Sequence, residues 1–272
     1  MVLKVLAALP LLYAITYFFA NRLQYHPARY PKGRWDLQGE LGARDVFVRT
    51  RDGLSLHAWW MEADARRVVT LYLHGNNGNV SSRPGHLREM LAAGSSVLIL
   101  DYRGYGRNRG WPMERGLYID ADAGYDYLIQ QGFEPSQIVV QGESLGSAVA
   151  VDLASRRPCA ALVLECPFTS AAAMANKTVP LLGPLFVRGY YSIRKISSVR
   201  APLLIIHGDD DPVVPIAMGR ALFEVANEPK YFWAIEGARH KTIVQVAGPR
   251  YRARLQEFYE MLGSCRTTKP RA

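Results

Sequence analysis

Apolar and polar residues change rhythm twice along the chain. Residues 5–20, VLAALPLLYAITYFFA, hold no charge, and with residues 1–4 they form a run of 20. That is about the length a helix needs to cross a hydrocarbon core. From about residue 45 shorter patterns take over. RDVFVRT and LSLHAWWM flank Arg51-Asp52-Gly53, a turn signal, and predict an antiparallel hairpin. Six apolar runs follow: VVTLYL (68–73), SVLILDY (96–102), QIVVQ (137–141), ALVLE (161–165), PLLIIH (202–207) and YFWAI (231–235). Their lengths and Val/Ile/Leu content predict buried parallel strands. Helix-length segments such as PMERGLYIDADAGYDYLIQQ and SLGSAVAVDLASRR lie between them. Strands alternating with helices predict an α/β fold, a mostly parallel doubly wound sheet with helices on both faces.

Ligands on such sheets sit at the carboxyl ends of the strands. Polar residues gather at those ends. His74–Asn79 follows the first parallel run, Asp101–Gly106 the second, Ser144 the third, Asp211 the fifth and His240 the sixth. Ser144 stands in Gln141-Gly142-Glu143-Ser144-Leu145-Gly146, a spacing that suits a sharp strand-to-helix turn with an exposed hydroxyl. A serine here can also be a helix N-cap. The strand-like run before it and the alanine-rich run after it favour the nucleophile.

Serine attack on an acyl carbon needs a base, an acid that orients the base, and donors for the oxyanion. Ser144, Asp211 and His240 occur in the order Ser, Asp, His expected of a hydrolase of this architecture. The other histidines fit worse. His26 lies near the first segment, His57 in the hairpin and His86 at a helix start, while His74 and His207 end strands. The acid has more than one candidate, because HGDDDPVVP offers Asp209, Asp210 and Asp211, and Glu165 ends another strand. Asp211 is preferred by motif position and Glu165 ranks next. LHGNNGN supplies the oxyanion side, with the backbone N–H of Asn76 paired with that of Leu145. It lacks the Gly-Lys-Ser/Thr ending of a P-loop.

These stretches together resemble the membrane-anchored α/β-hydrolase-domain family, relatives of the serine aminopeptidase and prolyl-oligopeptidase-like hydrolases. LYLHGNNGN, LDYRGYGRNRG, VVQGESLGSAVAVDLA, LECPFTS, PLLIIHGDDDPVVP and EGARHKT occur in family order between about residues 40 and 262. The resemblance implies the α/β-hydrolase fold with a short lid, and a triad of Ser144, Asp211 and His240. It implies that Asp101-Tyr102-Arg103-Gly104 braces the oxyanion side. Glu143 stands where some relatives carry a base, and a carboxylate there is expected to discourage anionic substrates. The lid falls at about 168–200. Its apolar stretch TVPLLGPLFVRGYYS suggests a lipid-like or small-molecule acyl substrate lying beside Leu181, Leu182, Leu185 and Phe186. Ester or thioester cleavage is the leading activity. A serine peptidase, or a catalytically silent scaffold, is the alternative.

Composition refines this in three places. The chain has 272 residues, 49% of them hydrophobic, enough for one large domain. Three cysteines, Cys159, Cys166 and Cys265, are too few for a disulfide framework or zinc site, and no cofactor or metal is expected. The net charge is +9, with bases near both ends, including Arg22, Arg29, Lys32 and Arg34 after the first apolar segment. No nucleic-acid motif accompanies them, and nucleic acid is not an expected partner. Bases in that place suit lipid head groups. The bulky Tyr17-Phe18-Phe19 at the end of the first segment argues for an uncleaved single-pass anchor over a cleaved signal peptide. The positive-inside rule would put the main domain on the cytoplasmic side, although the family tolerates either side. The expected organisation is an anchor at 1–21, a membrane-proximal linker at 22–44, the hydrolase domain at 45–263 and a basic tail at 264–272.

Overall fold

The apolar runs assemble into one eight-stranded sheet. The computed structural model describes residues 13, 16, 17, 19–22, 24–64 and 67–264. In chain order the strands are β1 (Arg44–Arg49), β2 (Ser55–Met61), β3 (Val68–Leu73), β4 (Ser95–Leu100), β5 (Ile138–Glu143), β6 (Ala161–Glu165), β7 (Leu203–Gly208) and β8 (Lys230–Ile235). Their spatial order is β8-β7-β6-β5-β3-β4-β2-β1. β1 and β2 form the antiparallel hairpin, β2 runs antiparallel to β4, and the other pairings are parallel. The fold is that of the α/β hydrolases.

Side chains alternate across the pleat, so each central strand feeds two cores. Val69, Leu71 and Leu73 of β3 pack on one face with Leu98, Leu100 and Val140. Val68 and Tyr72 pack on the other with Val97, Ile99 and Val139. Helices α2 (Glu114–Gln130) and α3 (Leu145–Arg156) cover the first face through Leu117, Leu128 and Leu153. Helices α1 (Pro84–Ala92) and α6 (Pro249–Ser264) cover the second through Leu87, Met90, Leu255 and Phe258. β3 is buried on both sides, which explains why its sequence is a continuous apolar run rather than an alternating one.

The chain leaves β3 toward β4 on one side and returns to β5 on the other. The loops after β3 and β5 therefore flank a crevice at the strand ends, the place such sheets bind ligands. Strand limits moved by one or two residues from the expected ones. β4 stops at Leu100, so Asp101 and Tyr102 belong to the turn, and β5 runs on to Glu143, directly against Ser144.

The stretch expected to be a linker is built into the domain instead. His26–Pro27 pairs in parallel with Asn77–Gly78, the Tyr30 N–H donates to Gly106 O at 2.9 Å, and Leu37 and Leu41 are buried. The stretch at 168–200, where a lid is expected, contains α4 (Ala171–Thr178), α5 (Gly183–Phe186) and the turns beside them. Most of the expected anchor, residues 1–12, 14, 15 and 18, lies outside the described residues, as do residues 265–272 of the basic tail. Among the described residues no helix is long and apolar enough to cross a membrane.

Candidate active site

Ser144 sits in a strained turn between β5 and α3. Its φ of +52° lies in the left-handed region that a serine seldom occupies. Two close approaches explain the flanking glycines. A Cβ on Gly142 would fall 2.3 Å from Gly146 O, and one on Gly146 would fall 1.9 Å from Leu73 O. Only glycine lets the turn close and lets α3 start hard against the end of β3. The Ser144 N–H donates to Glu165 O at 2.8 Å, and its carbonyl accepts from the Ser147 N–H at 2.9 Å. The turn is thus held from both sides while the hydroxyl stands clear.

His240 arrives on the loop after β8. Its Nε2 is 3.0 Å from Ser144 Oγ and its Nδ1 is 2.7 Å from Asp211 Oδ2. Asp211 is buried on the loop after β7, where its Oδ1 accepts the N–H groups of Val213 and Val214 at 2.8 and 2.9 Å. Burial alone would raise its pKa. The hydrogen bond and charge of His240, with the two backbone donors, outweigh burial and hold the carboxyl below its usual range. It therefore stays anionic and fixes Nδ1 as the protonated nitrogen, leaving Nε2 as the acceptor for the serine proton.

The remaining candidates are placed elsewhere. Glu165 accepts from the Tyr251 hydroxyl at 2.9 Å and meets His86 Nε2 at 2.7 Å, so it serves a different imidazole from the one beside the serine. Asp209 accepts the Gly237 N–H at 2.8 Å, and exposed Asp210 lies 3.7 Å from the Arg239 guanidinium. His207 is buried and bonded to Val214 O, and His57 is paired with Asp45. Cys166, Asp211 and His240 bring one potential metal-ligating atom each within 4.8 Å of one another. His240 Nδ1 and Asp211 Oδ2 bond each other, and burial pushes the Cys166 thiol well above its usual range, which disfavours the thiolate a metal would need.

On the oxyanion side, neither the Asn76 nor the Leu145 backbone N–H has an acceptor among the described residues. The Asn76 side chain is tied down by Gln24 O at 2.6 Å and by the Tyr105 hydroxyl at 2.9 Å. The Asp101–Gly106 turn braces the same loop. Tyr102 donates to His74 O and Tyr105 to Asn76 O, each at 3.0 Å, and Asp101 accepts the Val80 N–H at 2.8 Å. The lid residues turn outward: Leu181, Leu182 and Leu185 are 84%, 57% and 44% exposed, whereas Phe186 is half-buried.

Glu143 is where the structure departs most from expectation. Its carboxylate is turned away from solvent into an ion pair with the Arg83 guanidinium, and it also accepts from the Tyr72 hydroxyl at 3.0 Å. Burial works against the charge, but Arg83 and His86 overcome it and bring the carboxyl to about 2. Its charge is compensated, so it does not repel an anionic substrate. Arg83 also donates to Asn77 O at 2.8 Å and thereby joins the nucleophile turn to the oxyanion loop. No spacing signal marks Arg83, Tyr72 or Tyr251 for these roles, because their carboxylate partners are 60 to 86 residues away.

This pair has a measurable consequence. Arg83→Ala leaves a buried carboxylate unpaired and should cost about 3–5 kcal/mol, whereas the double change Arg83→Met, Glu143→Gln should recover most of it. A carboxyl depressed in the folded state stabilises above its unfolded pKa. The Glu143 contribution, about 3 kcal/mol for a fall from 4.5 to about 2, should therefore be complete above pH 4.5 and vanish as pH drops toward 2. Urea unfolding of the three proteins across that window checks both statements.

A serine–histidine–aspartate chain at the strand ends of this sheet is the arrangement of an α/β-hydrolase site. A family profile described as serine aminopeptidase, S33, matches residues 63–195. An uncharacterized protein of Mycobacterium tuberculosis is 42% identical over 202 residues, covering 72% of each chain. Alpha/beta hydrolase domain-containing protein 17C of Mus musculus is 35% identical over 235 residues, 81% of this chain and 69% of its own. Among solved structures, a Pyrococcus furiosus esterase matches with a TM-score of 0.73 at 22% identity, covering 88% of this chain and 98% of its own. A puromycin-hydrolyzing peptidase of Mycobacterium tuberculosis matches at 0.66 and 19%, covering 81% of this chain and 39% of its own. The chain belongs to the α/β-hydrolase family.

Proposed function

We propose that the protein is a membrane-anchored serine hydrolase that cleaves ester or thioester bonds through an acyl-enzyme. The observation that carries the reading is the unbroken hydrogen-bonded chain from Asp211 through His240 to Ser144 Oγ. Ser144 Oγ attacks the acyl carbon as its proton passes to His240 Nε2. The carbonyl electron pair moves onto oxygen, facing the Asn76 and Leu145 N–H groups. Collapse expels the alcohol or thiol, which takes the proton from His240. Water repeats the sequence: it gives a proton to His240, attacks the acyl carbon and releases the acid, and Ser144 recovers its proton. Asp211 stays ionised throughout and stabilises the imidazolium.

Three features support an acyl substrate at a membrane. The lid is short and rich in leucine, and its Phe186 is half-buried. The run at 1–20, charged within the sequence only at Lys4, has about the length of an anchor. The esterase likeness extends over nearly the whole of that enzyme. The second reading, a peptidase, draws on the serine aminopeptidase profile and on the peptidase likeness, which involves a smaller part of a longer chain.

One experiment separates them. In carbonate-washed membranes holding the full chain, p-nitrophenyl esters of graded length should give kcat/KM values that climb over a few carbons and then fall. Each buried methylene should add up to about 0.8 kcal/mol until the pocket is full. Aminoacyl and prolyl anilides should be poor substrates. Strong anilide turnover without ester turnover would select the peptidase, and activity found only in the wash would remove the anchor.

A further inference from the structure

The lid presents an apolar side chain to water against two costs. Leu181 has a φ of +66°, a backbone conformation in which leucine is an outlier, and it is almost fully exposed. The turn is not loose, because Asn176 Oδ1 accepts the Leu181 N–H at 3.0 Å. Leu182 and Leu185 extend the exposed ridge. Gly183 packs so closely on α4 that a Cβ there would fall 2.3 Å from Ala175 O, which fixes α5 and its outward Leu185 in place.

Segments far apart in sequence continue this face. The Tyr13 ring lies 5.8 Å from that of Phe186, and its hydroxyl donates to Leu185 O at 2.7 Å. Asn21 donates to Phe186 O at 2.7 Å. On that helical stretch Tyr13, Thr16 and Phe19 are exposed at a spacing of three, which puts them on one side. Trp111 is 64% exposed, with the guanidinium of Arg22 4.3 Å and that of Arg29 5.6 Å from its ring centre. Lys177 of α4 donates to Val213 O at 2.9 Å, which joins the lid to the loop that carries Asp211. Asp209 and Asp210 are exposed on that loop, and half-buried Glu114 accepts the Tyr190 N–H at 2.6 Å, so the face is not free of acidic groups.

An exposed apolar ridge of this kind marks an interaction surface. Leucines beside aromatics, with arginines over an exposed tryptophan, match the layered polarity of a bilayer surface and its anionic head groups. The sequence running into Tyr13, residues 1–12, is apolar apart from Lys4. We propose that this face rests on an anionic phospholipid bilayer, with Leu181, Leu182 and Leu185 at acyl-chain depth, so that an acyl group passes from the lipid past α5 to Ser144. The passage rests on the ester reading above, and the docking itself does not.

The test uses the full chain in phosphatidylcholine vesicles containing phosphatidylglycerol. Nitroxide labels are placed at Leu182→Cys and, at the opposite end of the sheet, at Glu134→Cys. The label at 182 should be open to oxygen and shielded from aqueous nickel, and the label at 134 the reverse. Equal nickel access at both sites would overturn the proposal. So would dipolar broadening between 182 labels that persists on dilution in lipid, which would make a second copy of this chain the occupant. Trp111→Glu and Phe19→Glu should each lower hydrolysis of a long-chain ester held in the vesicles about tenfold, while a soluble short-chain ester stays within about twofold. Equal losses on both esters would also overturn it. If the unmodified protein hydrolyses neither ester while the 182 label is shielded, the ester reading fails and the docking surface stands.

Discussion

Ser144→Ala should lower kcat about a millionfold, roughly 8 kcal/mol of transition-state stabilisation, without disturbing the fold. The hydroxyl makes no structural hydrogen bond that the sheet depends on. Among the described residues its side-chain partner is His240, while the backbone bonds to Glu165 and Ser147 survive the change. His240→Ala should do nearly as much harm, and combining the two should add little, because each removes the same proton-transfer unit. A fluorophosphonate reagent gives the check apart from turnover. It should label the unmodified protein and leave Ser144→Ala unlabelled, with far-UV circular dichroism unchanged. A folded, unmodified protein that never labels would favour the scaffold alternative instead.

Asp211→Asn should lower kcat about ten-thousandfold, whereas Glu165→Gln should cost no more than about tenfold. The two side chains end neighbouring strands or the loops beyond them, and each meets an imidazole, so the contrast is a direct test of which one works on the nucleophile's base. Asparagine keeps the shape at 211 but can present an N–H to His240 Nδ1. That favours the tautomer with its proton on Nε2, where it can no longer accept from Ser144. The Val213 and Val214 donors would also lose the ionised acceptor they now share. At 165, glutamine retains an oxygen for His86 and stays outside the proton path. His86 would feel it most. Burial pulls its pKa down, and the charge and hydrogen bond of Glu165 now override this and raise it. Parallel steady-state kinetics of the two variants decides the matter, and a severe Glu165→Gln with a mild Asp211→Asn would reverse the assignment.

The parts of the site that the sequence made legible are those built from local pattern. Ser144 could be read because the flanking glycines, the preceding strand and the following helix all lie within 15 residues of it. The Asp101–Gly106 turn could be read for a similar reason, although the strand before it ends at Leu100, two residues short of the apolar run. Motif position favours Asp211 with Glu165 next, but Asp209, Asp210, Asp211 and Glu165 all sit at or just beyond strand ends, and one-dimensional spacing carries no direction. Only the placement of the β7 and β8 loops puts Oδ2 of Asp211 2.7 Å from His240 Nδ1 and turns Glu165 toward α1.

Periodicity and turn chemistry determined the α/β class, the strand succession and the elbow serine, because each of these depends on residues near one another in the chain. The tertiary structure decided what depends on distant neighbours. It folded residues 24–44 into the domain, where sequence composition suggested only a linker. It showed that Glu143 is neutralised by Arg83, across 60 residues of chain, when its position suggested a charge facing substrate. It also turned Leu181, Leu182 and Leu185 outward. Hydrophobicity in a lid says that a side chain favours an apolar medium, but the direction of the Cα–Cβ bond decides which medium it meets, and that direction comes from how α4 and α5 pack against each other.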